Sequence, residues 1–514
     1  MSLAQGIAAL DAGNYAAAES ILQAIVAHDP RAHAAWHALS VTAMRSGFAD
    51  VAVERARRAL ELDKRNVLYL NTLGIAYGEL GEFSAAEQLF RRAVKVKPAS
   101  VEARYNLGKV LHKLGRLAES LKEYERAYAI APESRQAQVG LAEISLVHGQ
   151  PERAMRLLGA AGAAEDPNLI ARYTECLADV ESPEAAVDWL RAVLARRPDW
   201  RFVHYLLAVL LLALGSWREA WKQYFLWWRT HRLPERAAAP QPLPARLDGE
   251  RILLRGELGL GDILFYLRFA GELRSRGAAI AVACPARLAP LLAPDVAVID
   301  EHDRQAAFDR SLWLGDLPGL LEAESTPGAF PLRADAAESA RARQKLASLG
   351  PPPYLGLTWR AGTDVLRGRE FGADRSLLSK EIAPVSLGEA VRGWRGTLVS
   401  LQRGPRAAEL KALVTAAAAP VHDLASVNEN LPEALAILEA LDDYVAVSNT
   451  NIHLLAGRGR TARVLVPHPP QWRWMRREGP SPWFPGFAIY RQPVTREWAQ
   501  PLARLRQELF AART

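Results

Sequence analysis

Residues 251–270 read RILLRGELGLGDILFYLRFA. A short apolar run meets Gly256, Gly259 and Gly261, then Asp262, and an apolar pattern of helical period follows. Such a turn cradles a phosphate, holds a carboxylate for chemistry, or only joins a strand to a helix. The spacing GxxGxG departs from the dinucleotide fingerprint GxGxxG, no well-placed ribose-binding acid follows, and no Gly-Lys-Ser/Thr closes a P-loop. Nicotinamide and P-loop chemistry are therefore disfavoured. Gly259 and Gly261 permit positive φ and close backbone approach. Asp262, at the start of the helix, has two readings. It is a general base, a role worth roughly 10²- to 10⁴-fold, or a helix N-cap worth about 1 kcal/mol. The roles compete, because cap hydrogen bonds favour the ionised carboxylate and weaken it as a base.

A second anchor is VSNTNIHLLAG, residues 447–457. A strand ends in Ser448, Asn449, Thr450 and Asn451, and a helix carrying His453 starts at once. Unpaired N–H groups at a helix start bind phosphate, and the dipole adds about 0.3–1 kcal/mol. The plainer reading makes Asn and Thr caps and His453 a satisfied, semi-buried histidine. A third stretch, TWRAGTDVLRGREF, offers Arg360, Arg367 and Arg369. Arginine neutralises a diphosphate bidentately, which makes a divalent metal unnecessary; the alternative is a solvated loop. No Asp-x-Asp pair stands in a convincing metal-binding position, so no metal is expected. In the tail, Trp472, Trp474 and Trp483 alternate with Arg473, Arg476 and Arg477. Aromatics among arginines suit single-stranded nucleic acid, but the interleaved prolines favour a packed cap, and no nucleic-acid partner is expected.

These groups need elements to hold them. From residue 251 short apolar strands (RILL, AIAVAC, VAVID) alternate with helices, and a second set starts at PYLGLTWRAGT and continues through GTLVSLQ, YVAVSN and RVLVP. Alternation of this kind argues for parallel, doubly wound sheets. Two Rossmann-like halves, 251–345 and 346–514 with a closing tail helix, imply a cleft beyond the carboxyl ends of their strands. Residues 233–250 are rich in proline and read as a linker.

The first 232 residues repeat. VLYLNTLGIAYGELGEFSAAEQLFRRAVKVKP (67–98) returns 34 residues later as VEARYNLGKVLHKLGRLAESLKEYERAYAIAP, with Leu73-Gly74 matched by Leu107-Gly108, Gly81 by Gly115, Phe90 by Tyr124, Ala93 by Ala127 and Pro98 by Pro132. These residues resemble the tetratricopeptide repeat. The frame fits about seven units, the fifth degenerate and two residues short. Apolar steps of three and four make helix pairs, and pairs stack into an α-solenoid because one alone cannot bury its face. A groove for a protein or peptide is expected, with Asn71, Tyr105, Asn106 and Lys109 on the first helices as its lining or as ordinary solvated positions.

Composition bounds the rest. Net charge is +7 over 514 residues, mild enough to favour acidic ligands without requiring nucleic acid. Two distant cysteines, Cys176 and Cys284, make no framework, and a reducing cytoplasm fits. The N-terminus lacks a signal-peptide pattern, and YLLAVLLLAL (205–214) is too short to span a membrane.

From about 251 to 508 the chain resembles GT-B glycosyltransferases, particularly the heptosyltransferase-like family 9. The residues carrying this are GLGD, GLTWRAGT, LVSLQ, LEALDDYVAVSNTNIHLLAGRG and WRWMRREGPSPWFPGFAIYRQ. The resemblance implies an inverting, metal-independent enzyme with a nucleotide-activated sugar as co-substrate and no cofactor. Asp262 matches the family's catalytic aspartate, and the 448–453 turn its diphosphate-binding turn, implying donor contacts for Ser448, Asn449, Thr450, Asn451 and His453. The family commonly carries Asp-Thr-Gly or similar before this histidine and a lysine near 360; no acid stands in this turn, and arginines stand in the other region. The coupling of repeats to such a half is similar to O-linked N-acetylglucosamine transferases and bacterial flagellin-modifying transferases, which implies a protein acceptor such as flagellin. The rival is a non-catalytic repeat scaffold whose transferase-like half survives as a binding module.

Overall fold

The computed structural model describes residues 2–232, 243–256, 259–292, 296–299, 308–361 and 380–511. The chain divides into two compact units, Met1–Cys176 and Leu177–Thr514. Helices follow one another in seven pairs: α1 (Leu3–Asp11) and α2 (Tyr15–His28), α3 (His33–Arg45) and α4 (Ala49–Leu62), α5 (Val67–Glu79) and α6 (Phe83–Val96), α7 (Val101–Lys113) and α8 (Leu117–Ile130), α9 (Arg135–Val147) and α10 (Pro151–Ala160), α11 (Pro167–Val180) and α12 (Pro183–Arg196), α13 (Arg201–Leu214) and α14 (Trp217–Arg232).

The first unit is made by repetition. Gly13, Gly47, Gly81, Gly115 and Gly149 recur every 34 residues at the turn inside each pair, all with φ between 65° and 85°, a conformation that costs glycine least. Where paired helices cross, a side chain has no room. A Cβ on Gly74 would lie 2.6 Å from the Phe90 ring, and one on Gly108 2.9 Å from Tyr124. The closing prolines leave carbonyls that side chains six residues on satisfy: Trp36 on Pro30, Arg104 on Pro98, Gln138 on Pro132. Ion pairs such as Arg91 to Glu119 and Arg153 to Glu125 tie second helices of neighbouring repeats across 28 residues. In the degenerate fifth pair α10 has ten residues where α8 has fourteen.

The second unit holds α12 to α14 and two sheets. Its remaining elements are β1 (Arg251–Arg255), α15 (Leu260–Tyr266), α16 (Ala270–Ser275), β2 (Ala279–Ala283), β3 (Ala297–Ile299), β4 (Arg310–Trp313), α17 (Leu317–Leu320), α18 (Ala336–Leu349), β5 (Tyr354–Thr358), α19 (Pro384–Val391), β6 (Thr397–Ser400), α20 (Ala407–Ala417), β7 (Val421–Asp423), α21 (Leu431–Ala440), β8 (Asp443–Val447), α22 (Thr450–Gly457), β9 (Arg463–Val466), β10 (Ala488–Arg491) and α23 (Ala499–Ala511). Every described strand pair is parallel, so the unit is α/β.

The first sheet runs β3-β2-β1-β4 and the second β7-β6-β5-β8-β9-β10. Counted from each sheet's first strand, both orders open 3-2-1-4, and the second completes 3-2-1-4-5-6, the doubly wound order. In such sheets the crevice opens where the order reverses, beyond β1 and β4 in one and beyond β5 and β8 in the other. Helices cover both faces, so strands read as continuous apolar runs. Leu355, Leu357, Val445, Val447 and Leu465 form one core with Leu387 and Val391 of α19 and Leu505 and Leu509 of α23. The tail helix α23 thus covers the second sheet alongside α19, with Arg506 donating to the carbonyls of Glu389, Ala390 and Arg392. Among the described residues no helix is long and apolar enough to cross a membrane; residues 205–214 belong to the buried side of α13.

Candidate functional site

The turn after β1 leads straight into α15, whose N-cap is Gly259 with an extended backbone (φ −61°, ψ 149°) and no side-chain cap bond. Asp262 lies within the first turn, so the capping alternative for it does not hold. Neither Gly259 nor Gly261 uses positive φ. Gly261 is needed for approach instead. A Cβ there would lie 3.3 Å from His453 Cδ2 and 3.6 Å from Thr450 Oγ1, so the start of α15 packs on the start of α22. Two reversal points, one from each sheet, meet at that contact.

The Asp262 carboxylate is 46% exposed and accepts from Arg473 Nη2 at 2.7 Å, while the Arg473 side chain is 5% exposed. Arg473 belongs to a short 3-10 turn, Trp472–Trp474. Its guanidinium lies 4.2 Å from the Phe265 ring centre and 4.5 Å from Trp472, and Ser481 Oγ donates to its carbonyl. Aromatic faces desolvate the cation and fix its plane. Behind it Arg268 is buried, donating to the carbonyls of Phe265, Pro327 and Trp483; burial, and then Arg473, push its pKa down to about 9.

Lys380 joins the same field. The backbone N–H of Ala361 donates to the Lys380 carbonyl at 3.0 Å and that of Ile382 to Trp359 at 2.8 Å, which returns the chain alongside the carboxyl end of β5. Burial first and Arg473 second lower the Lys380 amine to about 8, with Asp262 acting against them. His453 is buried between Phe265 and Phe484, with ring centres at 6.1 and 5.2 Å. Burial, then Arg473, Arg268 and Lys380, drive its pKa well below the ordinary value, so it is a neutral ring at pH 7. Cations outnumber the one carboxylate here, a surplus that favours an anionic ligand.

The remaining candidates divide. Asn449 caps α22 by accepting from Ile452 N–H at 3.2 Å, and Asn449 and Asn451 both donate to the Tyr444 hydroxyl, which also pairs with Thr358. Those two amides are engaged in holding β8, β5 and α22 together. Ser448 is buried, its hydroxyl 3.4 Å from Gln471 Oε1; Thr450 is half-buried beside Gly261. Arg360 is spent on Glu409 at 3.1 Å and on the Gly404 carbonyl. Arg367 and Arg369 lie outside the described residues. In the first unit Asn71 is 1% exposed and packed inside the helices, Asn106 is also buried, the Tyr105 ring meets that of Tyr124 at a tilt with centres 5.8 Å apart, and Lys109 is exposed.

Sequence reasoning missed Lys380, 118 residues from Asp262 with no local pattern to mark it. Arg473 was visible only as part of WRWMRR. The three tail tryptophans are buried, Trp472 and Trp483 against Trp221 at 5.7 and 6.0 Å and Trp474 stacked on Phe484 at 4.6 Å, so their faces are occupied. Among the described residues no group of three or more His, Cys, Asp or Glu is arranged to hold a metal ion. A cavity of 380 Å³ at the amino ends of β8 and β9, lined by Asp442, Asp443, Arg460 and Arg463 among others, is at the wrong edge of the sheet for this chemistry, and Arg463 is already bound to Asp443 and Glu508.

Known proteins match in two ways. One tetratricopeptide-repeat family model matches residues 3–67 and 71–135, and a second such model residues 113–174. Protein FlbA of Caulobacter vibrioides is 26% identical over 384 residues, 66% of this chain, and the chain spans 59% of the length of that relative. Among solved structures, a thermophilic tetratricopeptide-repeat protein of Thermus thermophilus is 22% identical, covering 34% of this chain and 96% of its own (TM-score 0.31). PilF of Pseudomonas aeruginosa is 20% identical over 39% of this chain and 92% of its own (TM-score 0.35). The N-terminal part of the chain is a helical solenoid of tetratricopeptide repeats, an architecture that points to a protein partner.

Proposed function

We propose that the second unit is an inverting glycosyltransferase of GT-B architecture that takes a nucleotide-activated sugar, and that the repeats recruit its protein acceptor. The observation carrying this is the contact of α15 with α22 through Gly261, with a half-exposed carboxylate and a surplus of cations beside it. In the reaction, Asp262 takes the proton of the acceptor hydroxyl as its oxygen attacks the anomeric carbon. The bond from that carbon to the diphosphate breaks, and the leaving oxygen's charge falls to Lys380, Arg473 and the N–H groups opening α22. In the resting chain Arg473 donates to the Asp262 carboxylate. A diphosphate that draws Arg473 away frees that carboxylate oxygen to take the proton of the acceptor hydroxyl.

Titrating the full chain with UDP-, GDP-, ADP- and CMP-sugars tests this. Binding of at least one donor, with transfer abolished in Asp262→Asn, is the expected result. Undiminished transfer by that variant removes the base assignment. A second reading, a repeat scaffold with a non-catalytic half, is favoured by the engagement of Arg360, Asn449 and Asn451 in internal contacts; it predicts no turnover with any donor.

A further inference from the structure

The carboxylate of Asp179, in the last turn of α11, is 9% exposed. Its Oδ2 accepts from His468 Nε2 at 2.9 Å and its Oδ1 from the Arg476 guanidinium, and those two side chains are only 9% and 10% exposed. Burial alone would raise the Asp179 pKa; hydrogen bonds and charge from His468 and Arg476 outweigh it and hold the carboxyl below its ordinary value. One buried carboxylate therefore grips the tail five residues before Arg473 and three residues after it.

The gripped segment is short and stiff. Pro469 and Pro470 fix backbone angles next to His468, and Trp472–Trp474 form the 3-10 turn. The Arg476 backbone N–H donates to the Ala213 carbonyl at the end of α13, and Arg477 pairs with Glu184 at the start of α12 at 2.7 Å. The sheets hold the same stretch: the Arg491 side chain reaches the Trp474 and Gly479 carbonyls, and Gln492 accepts from the His468 backbone at 3.0 Å. The backbone on either side of Arg473 is thus anchored on repeat helices as well as on the sheets.

We propose that Asp179 is the positioning residue for Arg473. By holding His468 and Arg476 together it fixes the segment in which Arg473 meets Asp262, so the cationic side of the site is set by the end of a repeat helix. The effect on ligand binding rests on the transferase reading, in which Arg473 meets the donor's diphosphate; the effect on the segment does not.

Two measurements on the full chain separate these. In Asp179→Asn, amide hydrogen exchange over 468–481 should speed up by about tenfold or more, since losing the charge weakens the grip of this side chain on both His468 and Arg476. UDP or GDP affinity should fall by about tenfold, and the same substitution in an Arg473→Gln background should add less than about twofold, because residues acting through one another are not additive. A merely structural Asp179 would weaken binding alike in both backgrounds, or loosen only α11; either result overturns the proposal. Should Asp179→Asn fail to fold, His468→Asn, which releases one grip only, carries the same expectations. If the unaltered chain binds neither nucleotide, the donor reading falls, and the exchange over 468–481 alone decides the role of Asp179.

Discussion

The two units place charge differently. In the first, a few pairs are buried, such as Arg104 with Glu123 and Arg172 with Glu143, but arginine and glutamate also pair along the second helices at intervals set by the repeat, as in Arg91 with Glu87 and Glu119. Interior positions there are mostly alanine, leucine and the small residues that helix crossings demand. In the second, cations go inside: Arg268 against peptide carbonyls, Arg473 against Asp262, Arg476 against Asp179. Burying a charge is expensive without a partner. A fold that does so repeatedly around one crevice is holding geometry that periodic packing cannot supply. Stability in one unit is thus distributed, while in the other it is concentrated where chemistry is proposed.

The largest expected effect strikes the concentrated side. Asp262→Asn keeps the shape and a hydrogen-bond acceptor for Arg473 but loses the base, so transfer should fall by roughly 10²- to 10⁴-fold with donor affinity little changed, read by single-turnover kinetics beside calorimetry. Trp221→Ala comes next. Trp221 is at the centre of the ring cluster and 1% exposed, so the deletion should cost about 3–5 kcal/mol in urea denaturation. Hydrogen exchange should localise that loss to residues after 177. Equal loosening of both units would show that the contrast drawn between them is false.

What the sequence displayed follows the same contrast. Periodicity is additive evidence, and five glycines at a 34-residue spacing make the helix pairs readable from spacing alone. Strands buried on both faces, such as β1, β5 and β8, announced themselves as apolar runs. β4, β7 and β10 did not, being three or four residues long and carrying Arg310, His422 or Arg491. Asp262 and Gly261 were visible because a strand, glycines and a helix are contiguous there. Lys380 was not, because a hydrogen-bonded return beside β5 brings it to the site. Arg360 looked available only because Glu409, 49 residues on, cannot be seen to face it. Ion pairs between distant positions are what local reading loses.

On the distributed side, Gly74→Val should cost about 1–3 kcal/mol, because its Cβ would press on the Phe90 ring and a larger residue cannot fit. A thermal melt that does not move would mean the crossing is looser than the 2.6 Å approach implies. Smaller again is a pH effect on the concentrated side. The Lys380 amine is lowered to about 8, so it is protonated and able to meet an anion at pH 7. Between pH 8 and 9 it gives up its proton. UDP or GDP affinity should therefore fall with rising pH, by at most about tenfold per pH unit, and Lys380→Met should flatten that dependence. A profile unchanged by the substitution would remove Lys380 from the site.

The smallest effect is the most informative about the repeats. Arg116 spans Glu87 and Glu119, each at 2.7 Å, yet its side chain is 40% exposed and that of Glu119 is 47% exposed. Solvent and salt screen such pairs, and ordering two long side chains offsets the Coulomb gain. Arg116→Ala should leave the melting temperature within the scatter of the measurement, and raising the salt concentration should leave it there. Asp179, with nearly the same kind of partner but buried, should respond strongly to loss of its charge. If Arg116 mattered as much as Asp179, burial would not be what separates these two ion pairs, and the ladder along the solenoid would have to be a cooperative network rather than a solvated face.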